Sequence, residues 1–149
     1  REARMIETIQ EYKAKSFEHL LELSGFSDAL LKNHFTLYGG YAANTNKLAA
    51  ALIKDFGSFE LWEKDFRAAG AMRGIGWVSL AYDCWGKRLF NVWTNEHDAG
   101  NLPGAHPVLV MDVFEHAFML DYGLKRADYI EAYFKAIDWK RAAERFEKN

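Results

Sequence analysis

The sequence has little of what would tie it to a membrane, to nucleic acid or to an oxidising environment. Its single cysteine, Cys84, has no partner for an intrachain disulfide, which favours a reducing, cytoplasmic location. The longest apolar runs, residues 48–53 and 107–111, are far shorter than the roughly 20 residues of a membrane helix. A formal net charge of −2 provides no basic field for general nucleic-acid binding. We therefore expect neither a membrane nor nucleic acid as a partner.

The composition that remains is that of an ordinary folded domain. The chain has 149 residues, of which 50% are hydrophobic, 15% aromatic and 27% charged, so disorder is not expected. Apolar spacing predicts helices over residues 5–23, from a cap at Ser27 or Asp28 through Leu48, and from the break at residues 57–58 to about Met72. The first half of the chain is therefore predicted to be helical.

The middle of the chain has a different pattern, which predicts a small sheet. Two short aromatic runs, residues 77–82 and 89–93, flank a turn and indicate a β-hairpin, and residues 107–111 indicate a third strand. Helices are expected over residues 113–122, ending at Gly123, and finally over residues 127–136. This order predicts an α+β fold with a three-stranded antiparallel sheet, divided into a helical part at 1–54 and an α/β part at 55–149.

The strongest local pattern for chemistry is the segment D-V-F-E-H at residues 112–116. Asp112 and His116 are four residues apart, so a helix that begins here points both side chains the same way. A carboxylate oxygen beside a neutral imidazole suits a metal such as iron or manganese. The spacing alone, however, favours a structural interpretation, in which Asp112 caps the helix and His116 is a hydrogen-bonded core residue.

His34 is a weaker candidate, since it lies on a predicted helical face made otherwise of leucines and tyrosines, including Tyr38 and Tyr41. A lone histidine on such a face is more often a core residue than a ligand. With Asp112 and His116 it would complete a set of two histidines and one carboxylate, which binds iron in several unrelated settings. From the residues alone, both interpretations stay open.

Several segments resemble those of the iron/manganese superoxide dismutase family. Residues 112–118, D-V-F-E-H-A-F, followed by D-Y at 121–122 and R-A-D-Y at 126–129, are similar to the signature D-V-W-E-H-A-Y, D-Y and R-x-x-Y. F-G-S-F at 56–59 and G-I-G-W at 74–77 are similar to two further family segments in the same order. His34 followed by Tyr41 and N-T-N at 44–46 resembles the first ligand-bearing helix. The resemblance implies an enzyme that converts superoxide to oxygen and hydrogen peroxide.

The resemblance also implies the cofactor and the residues at its site. One iron or manganese ion per subunit would be bound, and the metal ligands would be His34, Asp112 and His116. Asn33 is the rival to His34 in register, but asparagine is a poor metal ligand. Tyr41 would stand at the mouth of the substrate channel, and His97 would hydrogen-bond the metal-bound solvent. These two are the implied catalytic residues.

Four other side chains would surround the metal, by the same resemblance: Trp77, Tyr38, Phe114 and Glu115. Phe114 replaces the tryptophan that is common in the family, and Tyr38 replaces the usual histidine. Glu115 would cross the interface of a homodimer, or of a dimer of dimers, to the partner's His116 and orient that ligand. The implied partners are therefore superoxide and a second copy of the chain.

One family segment is absent from the sequence. The family has a second long helix with a W-N-H-x-F-Y-W-like segment, whose histidine is the fourth protein ligand, whereas here residues 46–52 run straight into residues 53–57. The gene lacks the segment, or it has been removed by engineering, or the sequence has an undeclared gap. Losing a core helix would expose a large apolar face, which favours the gap.

The missing ligand leaves two alternatives to an active dismutase. One is a degenerate family member that acts as a non-catalytic dimeric binding or structural module. The other is a different metalloenzyme that uses a site of two histidines and one carboxylate, with open positions for oxygen chemistry.

Overall fold

The computed structural model describes residues 13–22, 24–97 and 99–149. Along these residues a 3-10 helix, Glu18–Leu20, is followed by α1 (Asp28–Phe56), α2 (Phe59–Ala71), β1 (Trp77–Asp83), β2 (Arg88–Thr94), β3 (Ala105–Asp112), α3 (Glu115–Tyr122), α4 (Arg126–Ala136) and α5 (Trp139–Glu147). The predicted α+β fold with a three-stranded antiparallel sheet is confirmed. None of the described helices combines the length and the apolar character that a membrane-spanning segment needs.

The limits of α1 and α2 are set by local sequence signals. The Ser27 hydroxyl accepts a hydrogen bond from the Leu30 amide (3.2 Å), and the Ser58 hydroxyl accepts one from the Leu61 amide (3.1 Å). Each satisfies an amide that the first turn of a helix leaves free. Gly57 ends α1 with a φ of 91°, a conformation that favours glycine. The predicted helix starts and the break between them are confirmed.

The helix predicted over residues 5–23 lies partly outside the described residues, and its described part is wrong. Residues 13–22 contain a single 3-10 turn and no α-helix. Phe17 packs its ring against Phe35 and Tyr38 of α1, at centroid distances of 6.2 and 5.6 Å. This segment therefore packs on α1 through aromatic contacts. The apolar pattern alone does not distinguish such packing from a continuous helix.

The sheet has the order β2-β1-β3, with both pairs antiparallel. Trp77, at the start of the central strand β1, is opposite Thr94 at the end of β2 and opposite Asp112 at the end of β3. The residues after β2 and after β3 therefore leave the sheet at the same end, on either side of the start of β1. The two segments that the sequence predicts to form the site, one with His97 and one with His116, both begin at this end.

An aromatic core joins the helices to the sheet. Trp62 and Phe66 of α2 are fully buried, and Phe134 lies 6.0 and 5.9 Å from their rings while Trp139 lies 5.7 Å from Trp62. The Trp62 indole N–H donates to the Asn91 amide oxygen (3.1 Å), so its polar atom is satisfied inside the core. This core positions α4 and α5 against the rest of the domain.

Helix α5 lies beyond residues 127–136, the last helix that the sequence analysis predicts. Its N-cap, Asp138, accepts from the Arg141 amide (3.0 Å), and its buried residues are Ala142 and Ala143. Trp139 and Phe146 pack against the core beside these alanines, and α5 packs on both α1 and β3. Residues 139, 142, 143 and 146 have the spacing of an amphipathic helix, so the sequence does contain the signal for α5.

Helix α1 bears on two further predictions about the N-terminal part. It runs without interruption through residues 46–55, where the W-N-H helix of the family would be inserted. It also continues past the predicted division between residues 54 and 55, as far as Phe56. The division into two parts stays a prediction.

Side chains from α4 and α5 cover the outer edge of β3. They donate to three alternate carbonyls of the strand: Tyr129 to Asp112 (2.8 Å), Tyr133 to Val110 (3.0 Å) and Arg145 to Val108 (3.3 Å). Alternate carbonyls of an edge strand point away from the sheet and need partners outside it. The helices supply those partners and hold the strand that carries Asp112.

We predict that Tyr133 contributes a pH-dependent part of the stability. Burial, and next the neighbouring Tyr129, raise the pKa of Tyr133 to about 12, against about 10 in an unfolded chain. Because the folded state holds this proton more tightly, the stabilisation is complete below about pH 10 and is lost as the pH rises towards about 12.

In Tyr133→Phe, the free energy of unfolding should therefore fall less steeply with pH in this window than in the wild type. At pH 7 the variant should be less stable by about 0.5–1.5 kcal/mol, because the hydrogen bond to Val110 is lost. Urea unfolding at a series of pH values measures both effects. Equal slopes for the two proteins at high pH would contradict the prediction.

Candidate metal centre

Asp112 and His116 form a close pair where β3 ends and α3 begins. The Asp112 Oδ2 and His116 Nε2 atoms are 3.1 Å apart, and the His116 side chain is 69% exposed while that of Asp112 is 23% exposed. The other carboxylate oxygen, Oδ1, accepts from the Phe114 amide (2.9 Å), a turn that leads the chain into α3. The predicted proximity of the two side chains is confirmed, but it arises from this turn, because Asp112 ends β3 and α3 begins only at Glu115. One carboxylate thus serves both the turn and the pair.

The backbone around Asp112 is fixed from two sides. The Tyr129 hydroxyl donates to the Asp112 carbonyl (2.8 Å), and the Val113 amide donates to the Gly76 carbonyl (2.9 Å). Burial, and next the charge of Asp112, raise the pKa of the Tyr129 phenol. The phenol therefore stays protonated and remains a donor over the neutral pH range. These bonds hold the Asp112 backbone between α4 and the start of β1.

Gly76 is required by this arrangement. Its φ is +129°, and a Cβ added there would collide with the backbone carbonyl oxygen of Thr94. Only glycine adopts this conformation without strain and lets the two backbones approach so closely. The G-I-G-W segment therefore positions both the Gly76 carbonyl and the Trp77 side chain that follows it.

His97 lies in the loop after β2 and is held by Trp77. The Trp77 indole N–H donates to His97 Nδ1 (3.3 Å). An indole nitrogen is only a donor, so Nδ1 of the neutral imidazole is the acceptor and Nε2 carries the proton. In this tautomer Nε2–H is the group of the His97 ring that can donate a hydrogen bond.

Four rings lie together at this end of the sheet: Trp77, His97, Phe114 and His116. Phe114 is at their centre, with the His97 ring at 4.7 Å and 14° from parallel, and the His116 ring at 5.5 Å and 22°. Trp77 meets the Phe114 ring edge-on at 5.8 Å. Phe114 is therefore the common neighbour of both imidazoles.

His34 is exposed on α1 and lines a cavity of about 320 Å³ near the N-terminal segment, beside Phe17 and Tyr38. In the described part of the chain, no three His, Cys, Asp or Glu side chains are grouped closely enough to hold a metal ion. The expected convergence of His34 with Asp112 and His116 is therefore not present here. The position of α1, and with it that of His34, follows from the packing of α1 against α5, α2 and β2. The residue spacing within α1 could not specify this position. That His34 is a ligand stays a prediction.

Tyr41 and Tyr38 also take their positions from the packing of α1. The Lys140 ammonium lies 3.6 Å from the centre of the Tyr41 ring, a cation–π contact that places Tyr41 where α1 meets α5. Tyr38 meets the Phe17 ring edge-on, and its hydroxyl accepts from the Lys15 amide (3.4 Å). The roles that the resemblance implies for these two tyrosines stay predictions.

Glu115 is exposed at the start of α3 and lines a surface cavity of about 410 Å³ together with Arg126. The Arg126 guanidinium donates to the carbonyls of Met72 and Gly74, at 2.7 Å each. It thus fixes the segment between α2 and β1. Charge-assisted bonds of this kind are among the stronger hydrogen bonds of a protein.

Sequence reasoning did not assign a role to Gly76, Arg126 or Tyr129. All three lie inside the motifs on which the resemblance is based, and their place in those motifs was the only sign in the sequence that they matter. The residues to which they are hydrogen-bonded, however, are distant in the chain: 37 residues for Gly76, 54 and 52 for Arg126, and 17 for Tyr129. Such pairings depend on the folded arrangement, so periodicity and spacing could not reveal them.

Comparison with known proteins places these motifs within a longer match. The family model described as iron/manganese superoxide dismutases, C-terminal domain, matches residues 44–145. The matched region includes Trp77, His97, Asp112 and His116, whereas His34 precedes it.

Individual relatives match the same part of the chain. It is 48% identical to a manganese superoxide dismutase of Haloarcula marismortui over 103 residues, 69% of this chain and 50% of the relative. It is 41% identical to an iron superoxide dismutase of Cupriavidus metallidurans over 115 residues, 76% of this chain and 58% of the relative. An iron superoxide dismutase of Methanothermobacter thermautotrophicus is 41% identical over 104 residues, 69% of this chain and 51% of the relative. The chain thus spans about half the length of the curated relatives it matches.

We predict that Gly76→Ala destabilises the protein while Gly40→Ala does not. A side chain at position 76 adds backbone strain and a collision with Thr94, so the free energy of unfolding should fall by at least about 2 kcal/mol. Gly40 lies within α1 with open space around its Cβ position, so alanine there should stabilise by about 0.5–1 kcal/mol. Urea unfolding at pH 7 measures both, and equal effects of the two substitutions would contradict the assignment.

Proposed function

The chain belongs to the iron/manganese superoxide dismutase family, and from this membership we propose that it converts superoxide to oxygen and hydrogen peroxide at an iron or manganese centre. The observation that supports the proposal is the Asp112–His116 pair, which lies inside the matched region and is open to solvent. The family membership favours this activity over a different metalloenzyme and over a module without catalysis.

The Asp112–His116 pair fits a metal ion in both chemistry and spacing. A carboxylate oxygen and an imidazole nitrogen are donors that iron and manganese accept. Two donors that each lie about 2.0–2.2 Å from one ion, at about a right angle, are about 3 Å apart, which is close to the 3.1 Å between Oδ2 and Nε2. Within residues 13–22, 24–97 and 99–149 the pair has no third donor in place. The described residues therefore fit part of a site.

Each residue at this part of the site has a physical task in the proposed reaction. Asp112 and His116 would hold the ion, and Tyr129 with Gly76 fixes the backbone that presents Asp112. A bound iron or manganese ion would supply one-electron chemistry by alternating between two oxidation states. His97 keeps a proton on Nε2 because its Nδ1 accepts from Trp77. We propose that this proton is available to the product, as the resemblance implies for His97.

The remaining predicted roles belong to the same proposal. His34 is the proposed third ligand, and Tyr41 the proposed residue at the mouth of the channel. Two histidines and one carboxylate leave the fourth protein ligand of the family unfilled, so metal is expected to bind weakly. A cytoplasmic location and one ion per subunit are likewise parts of the proposal.

We also propose that a second copy of the chain binds at α3. Leu120 and Leu124 are 94% and 90% exposed, and Met119 is 45% exposed, on and just after the helix that carries Glu115 and His116. Apolar side chains clustered at the surface are typical of contact sites. A two-fold contact here would cover these side chains and bring Glu115 towards the other subunit.

The metal prediction is tested with Asp112→Ala and His116→Ala, with His106→Ala as the control. His106 is exposed on β3 and has no proposed role. After incubation with manganese or iron, the first two variants should retain at least about tenfold less metal than the wild type, because each loses one of few ligands. His106→Ala should retain as much as the wild type.

Elemental analysis and a superoxide assay on the same samples measure retention and activity. His34→Ala is included, and it should lose metal as the other ligand variants do. Full metal content and activity in Asp112→Ala and His116→Ala would contradict the proposed site. Metal binding without superoxide turnover in the wild type would instead support a different metalloenzyme.

The dimer prediction is tested with Leu120→Glu, with Leu37→Glu as the matched control. Leu37 is 58% exposed on α1, away from α3 in the sequence. A charge at position 120 should shift the protein from dimer to monomer, because it would be buried without a partner in the interface. Sedimentation measures the mass of each variant. A wild type that is monomeric, or equal dissociation by both substitutions, would contradict the proposal. Glu115→Ala should weaken the dimer and lower metal retention together.

A further inference from the structure

Two imidazoles lie against one ring and a carboxylate lies beside one of them, yet these three groups do not form a metal site. Phe114 contacts the imidazoles of both His97 and His116, and His116 contacts Asp112. A group of three such donors is nevertheless absent among the residues that the structure describes. The arrangement therefore needs an explanation for why His97 stays apart from the pair.

The orientation of the rings supplies that explanation. The lone pair of an imidazole nitrogen lies in the plane of the ring. The His97 plane is within 14° of the Phe114 plane, and the His116 plane is within 22° of it. Stacking on Phe114 therefore fixes the plane in which the His97 nitrogens point, and in this orientation Nδ1 faces the Trp77 indole.

Stacking on Phe114 holds the His97 ring in the position in which Nδ1 accepts the hydrogen bond from Trp77. Trp77 contacts Phe114 edge-on and donates to His97 Nδ1, so the same three rings fix both the plane and the tautomer of His97. In this tautomer one nitrogen is occupied as an acceptor and the other carries a proton. Neither nitrogen offers a free lone pair to a metal.

We propose that Phe114 is a positioning residue that keeps His97 out of the metal coordination sphere. Phe114 stacks on the His97 ring, which is hydrogen-bonded to Trp77, and it lies between this ring and His116 of the pair. His97 is thereby kept as a neighbour that carries a proton. Without the aromatic ring, His97 is free to turn, exchange its proton and join the pair as an additional donor. This inference rests on the proposed function, because it takes the pair to be where metal binds.

The first experiment measures Mn²⁺ affinity by titration, with free Mn²⁺ detected by electron paramagnetic resonance. Phe114→Ala should bind Mn²⁺ more tightly than the wild type, by about tenfold, the lower end of what a change around a metal site produces. The double variant Phe114→Ala/His97→Ala should lose this gain. Phe114→Trp keeps an aromatic ring and should behave like the wild type. Unchanged or weaker binding in Phe114→Ala, or a gain that persists without His97, would overturn the proposal.

The second experiment uses metal-free protein at pH 7 and so does not depend on the proposed function. Side-chain ¹⁵N chemical shifts should report a single His97 tautomer, protonated at Nε2, in the wild type and in Phe114→Trp. Phe114→Ala should show averaged shifts from both tautomers. Phe114→Leu keeps an apolar side chain without a planar ring and should give the same averaging if the alanine variant fails to fold.

Together the two readouts separate the possible failures. A fixed tautomer in Phe114→Ala and Phe114→Leu would overturn the positioning role whatever the metal affinity is. Averaged shifts without any Mn²⁺ binding, in the wild type or the variants, would support the positioning of His97 but contradict the pair as a metal site. Averaged shifts with a gain in affinity that needs His97 support both.

Discussion

The candidate site depends on how the outer edge of β3 is held. An edge strand leaves alternate carbonyls without partners in the sheet, and Tyr129, Tyr133 and Arg145 supply donors for three of them. The last of these carbonyls belongs to Asp112. The strand, the carboxylate and the start of α3 are therefore positioned by side chains from the two C-terminal helices.

The end of the sheet at which β2 and β3 stop brings together two chemically different halves of the site. On one side is the Asp112–His116 pair, exposed and spaced like two neighbouring metal ligands. On the other side is His97, whose Nδ1 is engaged by Trp77. Phe114 lies in contact with both halves. Proton transfer and metal binding use opposite states of an imidazole nitrogen, one with a proton and one with a free lone pair, so holding the two halves apart lets each keep its own state.

The sequence predicted the elements best where the determining interactions are local. Ser27 and Ser58 cap the helices they precede, and the aromatic runs form the expected hairpin. The prediction failed at residues 13–22, where Phe17 packs on α1 rather than continuing a helix. There the deciding contacts are with a distant element, and the apolar spacing carries no information about them. The prediction also omitted α5, although Trp139, Ala142, Ala143 and Phe146 have the spacing of an amphipathic helix.

The same distinction runs through the candidate site. The sequence by itself predicted that Asp112 and His116 lie close together, and they do, although the contact forms across the turn between β3 and α3 and not within one helix. Only the tertiary structure decided that His34 lies beside Phe17 rather than with this pair, and that Trp77 sets the tautomer of His97. These positions follow from how helices and strands pack against each other. Packing is settled by shape and burial across the whole domain, so spacing along the chain could not specify it.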